Sequence, residues 1–133
     1  VPTAPHHLIV IDDEPFIGRM IEMQFGQGPF VVSTALDGPS GLALLRAHPD
    51  AALALVDVNL PGGVSGLDII EEARREPALA RVPFVVLTAT GQQAHLDRAR
   101  ALGAAAVVTK PFSPHKLYLQ VCALVGEPAA AEA

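Results

Sequence analysis

This chain is poor in cysteine, lysine, clustered basic charge and long apolar stretches. Half of its 133 residues are hydrophobic, yet no segment approaches the ~20 consecutive apolar residues that cross a bilayer, so no membrane role is expected. The single cysteine, Cys122, excludes an internal disulfide and fits a reducing compartment. Nine basic residues face 14 acidic ones, for a net charge of −5, and only Arg74 and Arg75 are adjacent. No basic stripe interleaved with aromatics appears, which argues against direct nucleic-acid binding. The first residues lack the basic, apolar, small-residue order of a secretory leader, so a cytoplasmic setting is expected. Lysine is scarce, with only Lys110 and Lys116 among the nine basic residues. Keeping lysine in a chain that prefers arginine hints at a place that wants a compact ammonium.

What is present is a repeated pattern. Short runs rich in Val, Ile, Leu and Ala begin near residues 8, 30, 52, 84 and 105, nearly unbroken, as strands buried on both faces of a parallel sheet read. Helical patterns lie between them. Pro15 suits the first turn of a helix after Glu14, and Ile17, Met20, Ile21, Gln24 and Phe25 then recur at helical spacing until Gly26 and Gly28. A second helix is read from Gly38 to His48 with Leu42, Leu44 and Leu45 as its apolar face, and a third ends near Arg75. A fourth runs from Gln92 to Leu102. Ser113 and Pro114 start a fifth that reaches Val125. Five strands alternating with five helices is the α/β signature. Residues 1–133 are read as one domain, with a core of about 7–125 and a frayed tail over 126–133.

The chemistry-bearing residues sit where the runs end. Asp12 and Asp13 close the first, Asp57 the third and Thr88 the fourth, while Lys110 follows the fifth. Ligand sites of open α/β sheets lie beyond the carboxyl ends of the strands, so these side chains point to one pocket. Three converging carboxylates repel unless a cation is present. Mg²⁺ resolves this, since it takes oxygen ligands and commonly uses one or two carboxylates plus phosphate oxygens. Asp13 and Asp57 could bind it directly, Asp12 through water, and a backbone carbonyl near Asn59 could add a ligand. Asp57 can then act as nucleophile on a phosphoryl group, with Lys110 and the Thr88 hydroxyl on its oxygens. Singly, each residue has a duller reading: a capping Asp pair, a solvated Asp, a strand-end Thr, a surface Lys. Together, at four strand ends, they favour phosphoryl chemistry.

The stretches Ile9-Val10-Ile11-Asp12-Asp13-Glu14-Pro15, Leu55-Val56-Asp57-Val58-Asn59-Leu60-Pro61, Val86-Leu87-Thr88-Ala89 and Thr109-Lys110-Pro111-Phe112 occur in this order. In this combination the chain resembles the receiver domains of two-component response regulators. The resemblance implies a flavodoxin-like (βα)5 fold with strand order 2-1-3-4-5. It implies phosphorylation of Asp57 by a histidine kinase or a His phosphotransfer protein. Mg²⁺ would be held by Asp13, Asp57 and the Asn59 carbonyl, with Asp12 as the second acid. It further implies that Thr88 closes on the phosphoryl group, that Lys110 pairs with it, and that the Lys110–Pro111 bond is cis. The helix 4–strand 5–helix 5 face would then change its affinity for a downstream protein, and the chain would catalyse only its own phosphorylation and dephosphorylation.

Two positions depart from that family's pattern. Val107 stands three residues before Lys110, where an aromatic is frequent, so signalling is expected to move residues 89–95 rather than swing a ring at strand five. The turn Pro61-Gly62-Gly63-Val64-Ser65-Gly66 is one residue longer than usual, with glycine making the addition cheap in strain. Other motifs carry less. His6-His7 lacks metal-ligand spacing, and Gly62-Gly63 with Gly66 lacks the Gly-Lys-Ser/Thr end of a P-loop. Met23 falls off the core stripe of its helix and is read as a possible partner contact. The competing readings are a pseudo-receiver without phosphoryl chemistry and an aspartate-nucleophile phosphatase. The second wants an acid two residues past the nucleophile, where this chain has Asn59.

Overall fold

The structure is a computed structural model that describes residues 5–89 and 92–126. Five strands alternate with five helices: β1 His6–Ile11, α1 Pro15–Phe25, β2 Phe30–Ala35, α2 Gly38–Ala47, β3 Leu53–Asp57, α3 Gly66–Arg75, β4 Phe84–Thr88, α4 Gln93–Ala101, β5 Ala106–Thr109 and α5 Pro114–Val125. All neighbouring strands are parallel, in the order β2-β1-β3-β4-β5.

Why these segments become strands is visible in their burial. Every residue of β3 and β4 is buried, because helices cover both faces of a parallel sheet. Alternation then sorts the side chains. Leu8, Val10, Leu53, Leu55, Val85 and Leu87 pack with Ile17, Ile21 and Phe25 of α1 and Leu117, Tyr118 and Val121 of α5. Ile9, Ile11, Ala54, Val56, Phe84 and Val86 point the other way, onto Leu42 and Leu45 of α2, Leu67, Ile70 and Ala73 of α3 and Ala99 of α4. Each fully buried Leu or Ile contributes about 1.5–3 kcal/mol, so the two layers are what hold the helices on the sheet. On the α1/α5 side, Phe25, Phe30 and Tyr118 meet edge to face with centroids 5.1–5.7 Å apart.

Local signals set the helix ends. Asp37 caps α2 by accepting the Ser40 N–H at 2.7 Å. Ser65 and Asp68 form a reciprocal capping box on α3, and Ser113 accepts the Lys116 N–H at the start of α5. The sequence boundaries differ by a residue or so. Asp57 belongs to β3 itself, and Gln92 and Leu102 flank α4 rather than continue it. The expected frayed tail falls, apart from Gly126, outside the described residues.

Register is what builds the site. Ile11 pairs with Val56, so Asp12 and Asp57 leave β1 and β3 at the same level. Asp57 pairs with Leu87, which puts Thr88 one step beyond it on β4, and the Lys110 N–H bonds the Thr88 carbonyl at 2.8 Å. The four carboxyl ends form a single rim, at the point where strand order reverses between β1 and β3.

Candidate functional site

Asp12, Asp57 and Thr88 are the only buried polar or charged residues among those described, at 2%, 3% and 1% exposure. All three stand on that rim. Buried charge is costly unless it is compensated, and the compensation is Lys110. Its Nζ lies 2.8 Å from Asp12 Oδ2, 3.0 Å from Asp57 Oδ2 and 3.2 Å from Glu14 Oε1. Backbone donors take the other oxygens: the Glu14 N–H reaches Asp12 Oδ1 at 2.9 Å, and the Asn59 N–H reaches Asp57 Oδ1 at 3.0 Å.

The balance is incomplete. Four carboxylates, those of Asp12, Asp13, Glu14 and Asp57, can each bring an oxygen within 4.8 Å of the others, against one ammonium. Asp12 Oδ2 is buried and accepts no aligned hydrogen bond, although the ammonium is close. Burial raises the Asp12 carboxyl above its ordinary value, and Lys110 and the Glu14 N–H only partly oppose this. For Lys110, burial works to lower the pKa, but pairing with the Asp12 and Asp57 carboxylates outweighs it and holds the ammonium charged. An all-oxygen set with surplus negative charge, in which the buried Asp12 Oδ2 has only the shared ammonium beside it, fits a hard divalent cation.

The loop after Asp57 folds back on itself. Gly62 and Gly63 have φ of 86° and 75°, a conformation that disfavours side chains. Asn59 bridges Ser65, and the Gly66 N–H bonds the Val58 carbonyl at 2.9 Å. At Gly66 a Cβ would collide with the Asp57 carbonyl oxygen, so only glycine lets α3 start this close to β3. Beside Lys110, a cavity of about 470 Å³ is lined by Glu14, Phe16, Ile17, Met20, Ala89, Lys110, Pro111 and Phe112. The Lys110–Pro111 peptide is cis.

The match to known proteins now has a structural footing. The family model described as the response regulator receiver domain covers residues 8–121. The chain belongs to the response regulator receiver domain family. The response regulator SaeR of Staphylococcus aureus (strain USA300) is 34% identical over 115 residues, which cover 86% of this chain and 48% of the relative. The chain thus spans about half the length of the curated relatives it matches. The chemotaxis protein CheY4 of Vibrio cholerae superposes with a TM-score of 0.83 at 24% identity, covering 91% of this chain and 99% of that one. The receiver domain of the Francisella response regulator 1452 gives 0.79 at 22% identity, covering 91% and 97%. These structural likenesses establish the fold alone, a CheY-like flavodoxin fold.

As a receiver domain, the chain brings Asp12, Asp13, Asp57, Thr88 and Lys110 to one end of the sheet, as the sequence suggested. Asn59 lies two residues past Asp57, its N–H already engaged. The acidic cluster fits a receiver domain's metal site. Val107 is half-buried against the α2–α4 core layer. His7, in contrast, lies at the opposite end of β1, bonded through Nε2 to Ser33 Oγ at 2.8 Å and packed on His48. Sequence reasoning missed two residues. In the sequence Glu14 marks only the residue before a helix proline, yet its carboxylate makes no cap bond and reaches Lys110. Gly66 is the other; its only signal was a glycine one residue past a helix-capping serine. No helix among the described residues is long and apolar enough to cross a membrane.

Proposed function

We propose that this receiver domain accepts a phosphoryl group on Asp57 from the phosphohistidine of a histidine kinase or a His phosphotransfer protein, in a cytoplasmic two-component system. The observation that supports it best is the position of Asp57 on the central strand, flanked by Asp12 just past β1 and Thr88 on β4, with Lys110 on its Oδ2. In the transfer, an Asp57 oxygen bonds to phosphorus as the phosphorus–nitrogen bond of the donor breaks, and the imidazole leaves with the electron pair. Lys110 moves its donors onto the phosphoryl oxygens, and the Thr88 hydroxyl donates to another. Asp13, Asp57 and the Asn59 carbonyl would hold Mg²⁺, with Asp12 acting through water; the ion supplies charge neutralisation between the anionic carboxylate and the anionic phosphoryl group.

The phosphodonor is proposed to dock over α1. A second cavity of about 430 Å³, lined by Phe16, Arg19, Met20, Met23, Gln24, Gln27 and Pro114, shares Phe16 and Met20 with the one beside Lys110. Met23 is 73% exposed and Phe16 64%, a continuous apolar approach to the phosphoacceptor. The downstream protein is proposed to read the α4–β5–α5 face, the domain itself contacting neither nucleic acid nor membrane. Catalysis is confined to its own phosphorylation and dephosphorylation. The retained Asp12, Asp13, Asp57 and Lys110 weigh against a pseudo-receiver.

Incubation with Mg²⁺ and acetyl phosphate, followed by intact-mass measurement, tests this reading. The wild type should gain the mass of one phosphoryl group and Asp57→Asn none. Equal gains in both would show that another residue is the acceptor.

A further inference from the structure

The two ends of α4 are held very differently. At its start, Gln92 makes no side-chain cap bond, and Ala99 is the only buried residue of the whole helix. Midway, Arg98 pairs with Asp68 at 2.6 Å and Glu71 at 3.2 Å, but all three side chains are more than a third exposed, so the pairs add little. At its end the picture changes. The Arg74 guanidinium, from the last turn of α3, donates Nε to the Leu102 carbonyl at 3.0 Å and Nη2 to the Gly103 carbonyl at 3.3 Å. Its Nη1 donates to the carbonyls of Ala80 and Val82, both at 2.8 Å, and Cζ sits 5.0 Å from the centre of the Phe84 ring. One planar cation thus ties the exit of α4 to the α3–β4 connection, satisfying helix-end carbonyls where positive charge is favoured.

We propose that Arg74 is a pivot for α4: the helix moves as a lever about its C-terminal end, so its N-terminal half responds to Asp57 while Leu102 to Ala104 stay fixed and keep β5 in register. The proposal rests on the phosphoacceptor reading and deepens it, since it states which part of the output face moves. A helix with one buried residue and one anchored end opens from the free end.

Amide hydrogen exchange on the whole chain, with and without Mg²⁺ and beryllofluoride as a phosphoryl mimic, tests it. The amides of Leu102, Gly103 and Ala104 are bonded to the carbonyls of Arg98, Arg100 and Ala99 and report the anchored end. In the wild type, the mimic should change exchange at Gln93 to Asp97 and leave those three unchanged. In Arg74→Met, their basal exchange should rise roughly tenfold or more, the scale of losing charge-assisted hydrogen bonds, and the mimic's effect should spread to them. Arg74→Lys should fall between, because a point ammonium cannot span both segments; it also serves if the Met variant fails to fold. An even response along α4 in the wild type would overturn the pivot. So would variants whose basal exchange rises while the mimic's effect stays at Gln93 to Asp97, which marks a merely structural role. If Asp57 gains no phosphoryl mass, the phosphoacceptor reading falls separately. The pivot is then judged on basal exchange alone, and a gradient along α4 that survives in Arg74→Met overturns it.

Discussion

Removing the ammonium from the acidic rim should destabilise the protein in a way that metal and acid both reverse. In Lys110→Met the side chain keeps its length but leaves the buried Asp12 and Asp57 carboxylates facing each other without a cation. Breaking a buried ion pair by deleting one partner costs about 3–5 kcal/mol. Glu14 adds nothing to that sum, since its side chain is 59% exposed and its pairing is screened. Protonation of Asp12 limits the loss, so about 3 kcal/mol is expected without metal at neutral pH, or a fall in Tm on the order of 10 °C for a domain of this size. The pH dependence has a definite sign. The Asp12 carboxyl is already raised by burial, and losing Lys110 removes the largest influence lowering it. A raised carboxyl gives stability below its unfolded pKa that is lost as pH rises through the folded value. The gap between variant and wild type should therefore shrink as pH falls towards the carboxylate range. It should shrink also with added Mg²⁺, which binds only the folded state. Urea unfolding of both proteins, with EDTA or with Mg²⁺ at two pH values, measures all three effects. Matching midpoints in EDTA at neutral pH would refute the electrostatic account of the rim.

Much of this site was legible because parallel-sheet strands announce their ends. Asp12, Asp57 and Thr88 each terminate an apolar run, and register then aligns them without any long-range information beyond strand order. The cis Lys110–Pro111 bond followed from the family resemblance rather than from the residues. What the sequence hid was side-chain direction. Glu14 follows an Asp pair and precedes a helix proline, a context that suits a helix-end charge; only the reach of the Lys110 side chain along the rim, from the end of β5 past β4 and β3, brings the ammonium to it. Arg74 and Arg75 stand out in the sequence only as the one adjacent basic pair. The structure separates them, one on four backbone carbonyls and the other on Glu71 at the helix surface. A period of 3.6 assigns a face to a residue, but not whether a long side chain bends back beneath the helix end.

The metal site makes a graded prediction: Asp13→Ala should weaken Mg²⁺ binding strongly and Asp12→Ala less, and an unchanged affinity in Asp13→Ala, measured by calorimetric titration, would remove Asp13 from the site. At the far end of the sheet, burial and the neighbouring His48 lower the His7 pKa below its ordinary value, with Asp50 opposing. The unfolded chain then binds a proton more readily than the folded one, so stability is complete above about pH 6.5 and declines as pH falls through it. His7→Gln should flatten that decline in urea midpoints taken between about pH 7.5 and pH 5.5, and an unchanged slope would clear His7 of it. The last prediction concerns Gly66, where a methyl group would meet the Asp57 carbonyl oxygen and the Val56 side chain. Neither can yield easily, because β3 is buried along its whole length and Asp57 is paired with Leu87 in the ladder. Gly66→Ala must therefore push α3 away from β3, and it should cost about 1–3 kcal/mol, as overpacking of a dense interior does. The displaced loop carries Asn59, whose N–H fixes one Asp57 oxygen, so phosphorylation should slow even where the variant remains folded. Normal stability together with a normal rate of acetyl phosphate labelling would show that the loop tolerates the methyl group and that this close approach is not what positions Asp57.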